Sequence, residues 1–242
     1  MSSSSLASDA NSDAAVSKGL KGAIESKKLR RQNFADYRRF IQSHYDGLAG
    51  KLTSFTGLVT GHEALAGRLI HPRAFDVRQC RRILDAGCGN GRYSKYLLRW
   101  APGDALITSF DLSQTMLKRS RRRLKSERVS HVAADLTRLP YPDSFFDAAV
   151  CGWVLEHLPD PRPGLCELAR VLAPGGKLLL MTTEDTLTGA VCSRLWNCRT
   201  YGRGELANAC SELGLHWSRE LYFSQLHKFF RLGGIIVELR KE

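Results

Sequence analysis

The sequence predicts an α/β fold in which a parallel sheet is covered by helices. Short apolar runs alternate with segments of helical periodicity between residues 82 and 213, and short connections between such units indicate parallel strands. A turn containing Gly87, Gly89 and Gly91 joins the first of these strands to the first helix, and Asp111 follows the second strand. A strand, a glycine turn and a helix start together place backbone N–H groups where a nucleotide-like ligand can approach.

The elements are predicted in order along the chain. The first strand ends at Leu84, and residues 93–100 form a helix because their large apolar residues recur at helical spacing. Ser113 is a plausible N-cap for the next helix. Further strands are expected at residues 105–110, 129–133, 148–151 and 177–182, helices at 115–124, 164–172 and 204–213, and a closing strand pair at 216–224 and 235–239.

Composition limits the class of protein. A length of 242 residues suits one domain of the larger kind, and no apolar run is long enough to span a bilayer. Residues 1–17 are rich in Ser, Ala and Asp without a basic residue, which is typical of a disordered tail and not of a signal peptide. Seven cysteines without a C-x-x-C pair indicate reduced thiols in a cytoplasmic protein, with no metal site.

The net charge of +12 is concentrated in two stretches. Residues 18–39 and residues 118–128 each carry a net charge of +6. Phe34, Tyr37 and Ile41 recur at helical spacing through the end of the first stretch, so that an amphipathic basic helix is predicted there. Such a helix can pack on the domain edge, cover a ligand site as a lid or contact an anionic membrane surface, and a charge run can also be only a solvated face.

Five motifs follow one another in a fixed order over about a hundred residues. They comprise residues 85–91 (DAGCGNG), 110–113 (FDLS), 134–136 (ADL), 139–147 (LPYPDSFFD) and 170–177 (RVLAPGGK). This series resembles class I S-adenosylmethionine-dependent methyltransferases of the methyltransferase-11-like kind. The region around Tyr45 and Asp46 is loosely similar to the ubiquinone/menaquinone C-methyltransferase group. The resemblance implies a Rossmann-like, seven-stranded and mostly parallel sheet with helices on both faces and the last strand antiparallel.

The resemblance also implies S-adenosyl-L-methionine as the cofactor and a set of residues to hold it. Asp85 would order the glycine turn and attract the cofactor ammonium, while Asp111 would accept the ribose hydroxyls or, alternatively, only cap the following helix. Asp135 would accept from the adenine amino group or serve as a loop cap. The complete set of cofactor residues is Asp85, Gly87, Cys88, Gly89, Gly91, Asp111, Leu112, Asp135, Leu136 and Cys151.

Methyl transfer from a sulfonium requires alignment of the acceptor and, for a protonated acceptor, a base. His157 follows the fourth strand, where acceptor sites of this family open, and is the leading candidate, although it can also be a helix-start or pocket-lining histidine. Glu156 and Tyr45 are weaker candidates. The expected organisation is a tail at 1–17 and one methyltransferase domain at 18–242, made of a helical lid at 18–79, a cofactor core at 80–183 and an acceptor side at 184–242.

The predicted function is methylation of a small, lipophilic molecule such as a quinone precursor, an aromatic natural product or a lipid, by a cytoplasmic protein that can lie peripheral to a membrane. Residues 184–203 lack a clear counterpart to the acceptor region of the quinone enzymes. Nucleic-acid methylation is an alternative suggested by the basic stretches. The fourth strand, however, ends Val150-Cys151-Gly152-Trp153 and not in the tetrad of base-amine methyltransferases. A non-catalytic cofactor-binding protein is the third possibility.

Overall fold

A computed structural model describes residue 39 and residues 62–196, 198–229 and 233–242. The predicted tail at 1–17, nearly all of the basic stretch at 18–39 and the candidate Tyr45 lie outside the described residues. The predicted boundaries at residues 18 and 80 therefore stay predictions.

The seven strands form one sheet in the order β3-β2-β1-β4-β5-β7-β6. They are β1 Arg82–Ala86, β2 Leu106–Asp111, β3 Val129–Ala133, β4 Phe146–Gly152, β5 Leu172–Thr182, β6 Leu215–Glu220 and β7 Ile235–Lys241. Strands β1 to β5 pair in parallel, and β7 runs antiparallel to both of its neighbours, β5 and β6. The predicted fold class, including the antiparallel last strand, is confirmed.

Seven α-helices accompany the sheet in the described part of the chain. They are α1 His62–Leu69, α2 Arg92–Trp100, α3 Gln114–Leu124, α4 Arg162–Val171, α5 Leu187–Trp196, α6 Arg203–Ser211 and α7 Gln225–Phe229, and a short 3₁₀ helix spans Leu155–His157. Helices α2, α3, α4 and α6 were predicted from the sequence, whereas α5 and α7 were not. The predicted strand at 216–224 is shorter in the structure, since β6 ends at Glu220 and residues 225–229 are helical.

Two apolar layers enclose the sheet because successive residues of each strand face opposite sides. Ile83 of β1 packs in the layer with α1 and α2, whereas Leu84 packs in the layer with α4 and α6. Both residues are fully buried. The sheet is therefore covered on both faces, as expected for a parallel sheet.

The strand order reverses between β1 and β4. Helix α2 leaves β1 toward one apolar layer, while α4, which follows β4, lies in the other. Between two such strands the carboxyl ends are left uncovered, and ligands of open α/β sheets bind at this switch point. The loops after β1, β2 and β4 surround this point, so the fold brings the predicted motifs together.

The cap of α3 provides a test of the local fold. Ser113 Oγ accepts a hydrogen bond from the Met116 backbone N at 3.1 Å, in the way predicted. Replacing Ser113 by Ala should lower the free energy of unfolding by about 1 kcal/mol, because an N–H at the helix start loses its partner. Denaturant unfolding measures the loss, and the exposed Ser211→Ala on α6 serves as control and should change stability by less than about 0.5 kcal/mol. Equal effects of the two substitutions would contradict the assigned cap.

Candidate cofactor and acceptor site

The glycine turn after β1 depends on left-handed backbone. Gly87, Gly89 and Gly91 have φ angles of 68°, 52° and 82°. Residues other than glycine adopt such backbone angles only at a cost in conformational free energy. A Cβ atom on Gly87 would lie 2.2 Å from Val154 Cγ2, whereas one on Gly89 would meet no atom of the described residues within 4 Å. The space above Gly89 is therefore open, as a ligand site requires.

Asp111 ties the glycine turn to the start of α3. Its Oδ2 accepts a hydrogen bond from the Gly89 backbone N at 2.8 Å, and its Oδ1 accepts one from the Ser113 N at 2.8 Å. Asp111 thus orders the turn and the helix start, which is the capping role expected as an alternative. The side chain is half-buried and lies at the end of β2 beside the open space. Its binding of the ribose diol stays a prediction.

Asp85 is a fully buried carboxylate on β1 with a partly satisfied hydrogen-bonding shell. Ser94 of α2 donates to its Oδ2, and Ser94 Oγ also lies 2.7 Å from Ser109 Oγ. The other oxygen, Oδ1, has no hydrogen-bond partner among the described residues. Burial, with a smaller contribution from the negative charge of Asp111, raises the pKa of Asp85 to about 7. An enclosed acid with an unpaired oxygen suits a cationic ligand group.

Asp135 and Leu136 occupy the turn after β3. Asp135 Oδ1 accepts hydrogen bonds from Thr137 N at 3.0 Å and from Thr137 Oγ1 at 2.9 Å, so that it stabilises its own loop. The Leu136 side chain is buried and packs near Gly164 of α4, which leaves its backbone for the predicted adenine contact. Leu112, predicted to lie against the adenine, is half-buried.

The chain leaves β4 through a strained residue. Cys151 is fully buried, and burial raises the pKa of its thiol above its usual range, in keeping with the expected packing role. Trp153 has a φ of 54°, which is unusual for a residue with a side chain. Its ring stacks on Tyr93, with ring centroids 6.5 Å apart, and on Phe223, with centroids 6.2 Å apart. This stack joins β4 to α2 and to the segment before α7.

The 3₁₀ helix that carries Glu156 and His157 is fixed from several sides. Glu156 is buried, and its carboxylate accepts hydrogen bonds from Thr182 Oγ1 at 2.9 Å and from Thr183 Oγ1 at 2.8 Å. Burial raises the pKa of Glu156 to about 7. The Tyr201 hydroxyl donates to the Leu155 carbonyl at 2.9 Å. Glu156 therefore faces the end of β5, while His157 is half-buried at the end of the turn.

Sequence reasoning missed the groups that surround these acids. Thr182 and Thr183 bind Glu156 from the end of β5, and Ser94 and Ser109 enclose Asp85. The available signal was a pair of hydroxyl residues directly after an apolar strand, which alone has no specificity. Phe223 was assigned to a strand, and the structure places it beside Trp153 instead.

Two kinds of feature are absent from the part of the chain that the structure describes. No group of three or more His, Cys, Asp or Glu side chains there could hold a metal ion. None of the helices described is both long and apolar enough to cross a bilayer.

The strand order, the glycine turn at the switch point and the acidic residues at the ends of β1 and β2 are those expected of a class I S-adenosylmethionine-dependent methyltransferase domain. The fit to that cofactor rests on the open space above Gly89 and on the unpaired oxygen of Asp85. In agreement, residues 84–180 match the family model described as "Methyltransferase domain". This segment of the chain is therefore similar to the methyltransferase domain of that family.

Comparisons with individual proteins agree with this class. The chain is 43% identical over 126 residues to a demethylmenaquinone methyltransferase of Clavibacter sepedonicus, covering 52% of this chain and 50% of the relative. It is 36% identical over 129 residues to the methyltransferase GfsG of Streptomyces halstedii, covering 48% and 45%. The chain spans about half the length of the curated relatives it matches.

A solved structure extends the likeness in fold beyond residues 84–180, the segment that the family model matches. Magnesium protoporphyrin IX methyltransferase from Synechocystis PCC 6803, with bound S-adenosylhomocysteine, superposes with a TM-score of 0.68. The match covers 84% of this chain and 99% of that protein at 16% sequence identity. The likeness in fold is therefore longer than the segment at 84–180.

The cofactor site yields a test at Asp111. Asp111→Ala should weaken S-adenosylmethionine binding by roughly ten- to hundredfold, because a charge-assisted pair of hydrogen bonds is lost. Isothermal titration calorimetry on the folded variant measures the affinity. Glu127→Ala, which removes an exposed carboxylate between α3 and β3, is the control and should bind like the parent protein. Unchanged affinity in Asp111→Ala would remove Asp111 from the cofactor site.

Proposed function

We propose that the protein is an S-adenosylmethionine-dependent methyltransferase acting on a small, lipophilic molecule such as a quinone precursor, an aromatic natural product or a lipid. The observation that carries this proposal is the open, glycine-lined space at the switch point, bordered by the loop after β4. The names of the relatives, among them demethylmenaquinone methyltransferases, support the class of acceptor.

When bound, S-adenosylmethionine supplies an activated methyl group, and the protein has to hold it and align the acceptor. The backbone at Gly87, Cys88, Gly89 and Gly91 would approach the methionine and ribose, with Asp111 accepting from the ribose hydroxyls. Asp85 would support the turn and the cofactor ammonium. The proposed contacts of the adenine are Leu112, Asp135 and Leu136, and Cys151 would contact the cofactor through its backbone.

The distribution of exposed apolar residues favours a lipophilic acceptor. Helices α5 and α7 follow β5 and β6, whose carboxyl ends lie at the same edge of the sheet as the cofactor site. Of six large apolar side chains exposed in the described residues, five lie on these two helices: Leu187, Val191, Leu195, Leu226 and Phe229. Such a concentration of apolar surface is typical of an interaction site.

The direct experiment uses labelled S-adenosylmethionine. The purified protein is incubated with the labelled cofactor and a cell extract, and the extract is then separated into lipid, small polar, RNA and protein fractions. The proposal expects label in an organic-soluble small molecule. Label confined to RNA or protein would overturn the class of acceptor, and binding without any transfer would support a non-catalytic cofactor-binding protein.

For proton removal we propose His157, with Glu156 and Tyr45 as further candidates. His157 lies on the turn that β4 and β5 hold in place. The contacts of Glu156 with Thr182 and Thr183 favour a role in fixing this turn. Tyr45 remains a candidate from the sequence alone.

His157→Ala should reduce turnover by about 10²–10⁴ while cofactor affinity is retained, because general-base catalysis is lost and the glycine turn is untouched. Single-turnover transfer of label to the identified acceptor measures the rate, and calorimetry measures the affinity. The matched control is His216→Ala on β6, an exposed histidine paired with Glu242, which should keep the parent rate. Parent-like turnover in His157→Ala would assign His157 to the wall of the site.

We also propose that the basic stretches contact an anionic membrane, where a lipophilic acceptor collects. Within the second stretch, Lys118, Arg121, Arg122 and Lys125 are exposed along α3 and its C-cap. Each Lys or Arg near an anionic bilayer contributes about 1 kcal/mol of binding.

The protein should therefore sediment with anionic liposomes, sediment little with neutral ones, and lose this binding at high salt. Deleting residues 1–32, or replacing Arg121 and Arg122 by Glu, should reduce sedimentation while cofactor binding is retained. Equal sedimentation with neutral and anionic liposomes, or none with either, would contradict electrostatic membrane contact.

A further inference from the structure

Four carboxylate side chains are buried in the described part of the protein. Asp85, Glu156, Glu184 and Glu238 are all at most 4% exposed. Taking an ionised carboxylate out of water is expensive unless a cation or several hydrogen bonds compensate it. Each of the four carboxylates therefore needs a group that balances its charge.

Arginine balances two of them. Glu184 accepts from Arg203 Nε at 2.8 Å, and Glu238 lies 2.9 Å from both Arg219 Nη2 and Arg240 Nη2. Both pairs lie in the half of the sheet formed by β5, β7 and β6, or directly after β5. These two acids are neutralised within the protein.

Asp85 and Glu156 form no ion pair with the described residues. Their hydrogen-bond donors are the hydroxyls of Ser94, Thr182 and Thr183 and one backbone N–H, all of which are neutral. Both acids flank the loops at the carboxyl ends of β1 and β4, where the cofactor is proposed to bind.

The groups that face the two acids are acids themselves. Tyr93 of α2 and Cys151 of β4 are affected by the charges of both Asp85 and Glu156. Cys88 and Asp111 face Asp85, and Cys192, Cys198 and Tyr201 face Glu156.

Two arginines act on members of this cluster but do not balance the two acids. Arg92 acts on Tyr93 and Arg199 on Tyr201, and neither forms an ion pair with Asp85 or Glu156 in the structure as described. Among the described residues, neither of the two buried acids at the switch point is paired with a cationic side chain.

We propose that Asp85 and Glu156 make cofactor binding proton-linked, so that the site distinguishes S-adenosylmethionine from its demethylated product by charge. This inference rests on the proposed function, because it takes the cofactor to bind at the same site. The sulfonium of the cofactor carries a positive charge that the thioether of the product lacks. In methyl transfer the carbon–sulfur bond breaks, its electron pair stays on sulfur, and the methyl group goes to the acceptor.

The direction in which cofactor affinity changes with pH follows from the direction of the pKa shifts of Asp85 and Glu156. Burial raises the pKa of both acids to about 7, so each is partly protonated in the free protein near neutral pH. A cation bound nearby favours the ionised form and lowers the pKa, and protons are then released to solvent. Affinity for the cationic cofactor therefore rises with pH between about 6 and 8. Conversion to the product removes one positive charge, after which an acid takes up a proton again.

Calorimetry of the intact protein tests this without a methyl acceptor. S-adenosylmethionine and S-adenosylhomocysteine are titrated at pH 6, 7 and 8, each in phosphate and in Tris, whose ionisation enthalpies differ. The difference in binding enthalpy between the buffers gives the number of protons released. We expect release on binding the cofactor near pH 7, clearly less on binding the product, and a cofactor affinity that rises by up to tenfold per pH unit for each proton released.

Matched substitutions assign the effect to the two acids. Glu156→Gln keeps the size and hydrogen-bonding capacity of the side chain but removes its charge, and Asp85→Asn does the same at β1. Glu156→Gln should reduce proton release and flatten the pH dependence for the cofactor, with a smaller change for the product. Asp85→Asn should reduce proton release for both ligands, because both carry the ammonium that Asp85 is proposed to attract. Glu238→Gln is the control, because this equally buried acid is already paired with arginine.

The outcomes separate the inference from the proposed function. If neither ligand binds, the proposed cofactor site is wrong and the inference fails with it. If both ligands bind with equal proton release, or the cofactor binds with none, the proposed function stands and proton linkage is refuted. The parent protein alone decides this point, so a variant that fails to fold leaves the test valid.

Discussion

The reversal of strand order between β1 and β4 is the constraint on which the rest of the structure depends. Parallel strands need crossover connections, and connections leaving neighbouring strands toward opposite faces cannot cover the gap between them. Helix α2 and helix α4 therefore lie in different apolar layers. The uncovered strand ends allow backbone N–H groups, glycine turns and acids to meet in one place. The topology of the sheet alone therefore creates the switch point, whichever side chains line it.

Side chains and backbone at the switch point differ from those of the rest of the core. Elsewhere the buried acids Glu184 and Glu238 have arginine partners, and the interior is apolar. At the switch point, one oxygen of Asp85 has no hydrogen-bond partner within the part of the chain that the structure describes, and Trp153 has left-handed backbone. Such departures lower stability and persist where the surrounding structure enforces them. The site is therefore marked by its strain and its unbalanced charge as well as by its sequence motifs.

The sequence was sufficient for features with a local signal. Strand β3 was predicted at its observed bounds, and the Ser113 cap was identified because both signals lie within a few residues. The start of β5 was missed, since Leu172 pairs with Phe146 ahead of a register shift that the apolar pattern does not show. Helix α5 escaped prediction because much of its apolar surface is exposed. The surroundings of Glu156 come from residues 26 and 27 positions away, and no local pattern encodes them.

The position of β7 has a consequence for synthesis of the chain. Strand β6 is hydrogen-bonded to the sheet only through β7, which follows it in sequence but lies between it and β5. While a ribosome is producing residues 215–220, the strand that must receive them does not yet exist. The first five strands can pair during elongation, but this edge can close only after residue 241 has left the exit tunnel. Completion of the sheet therefore has to wait for the synthesis of β7, and until then β5 presents an open edge to which chaperones can bind.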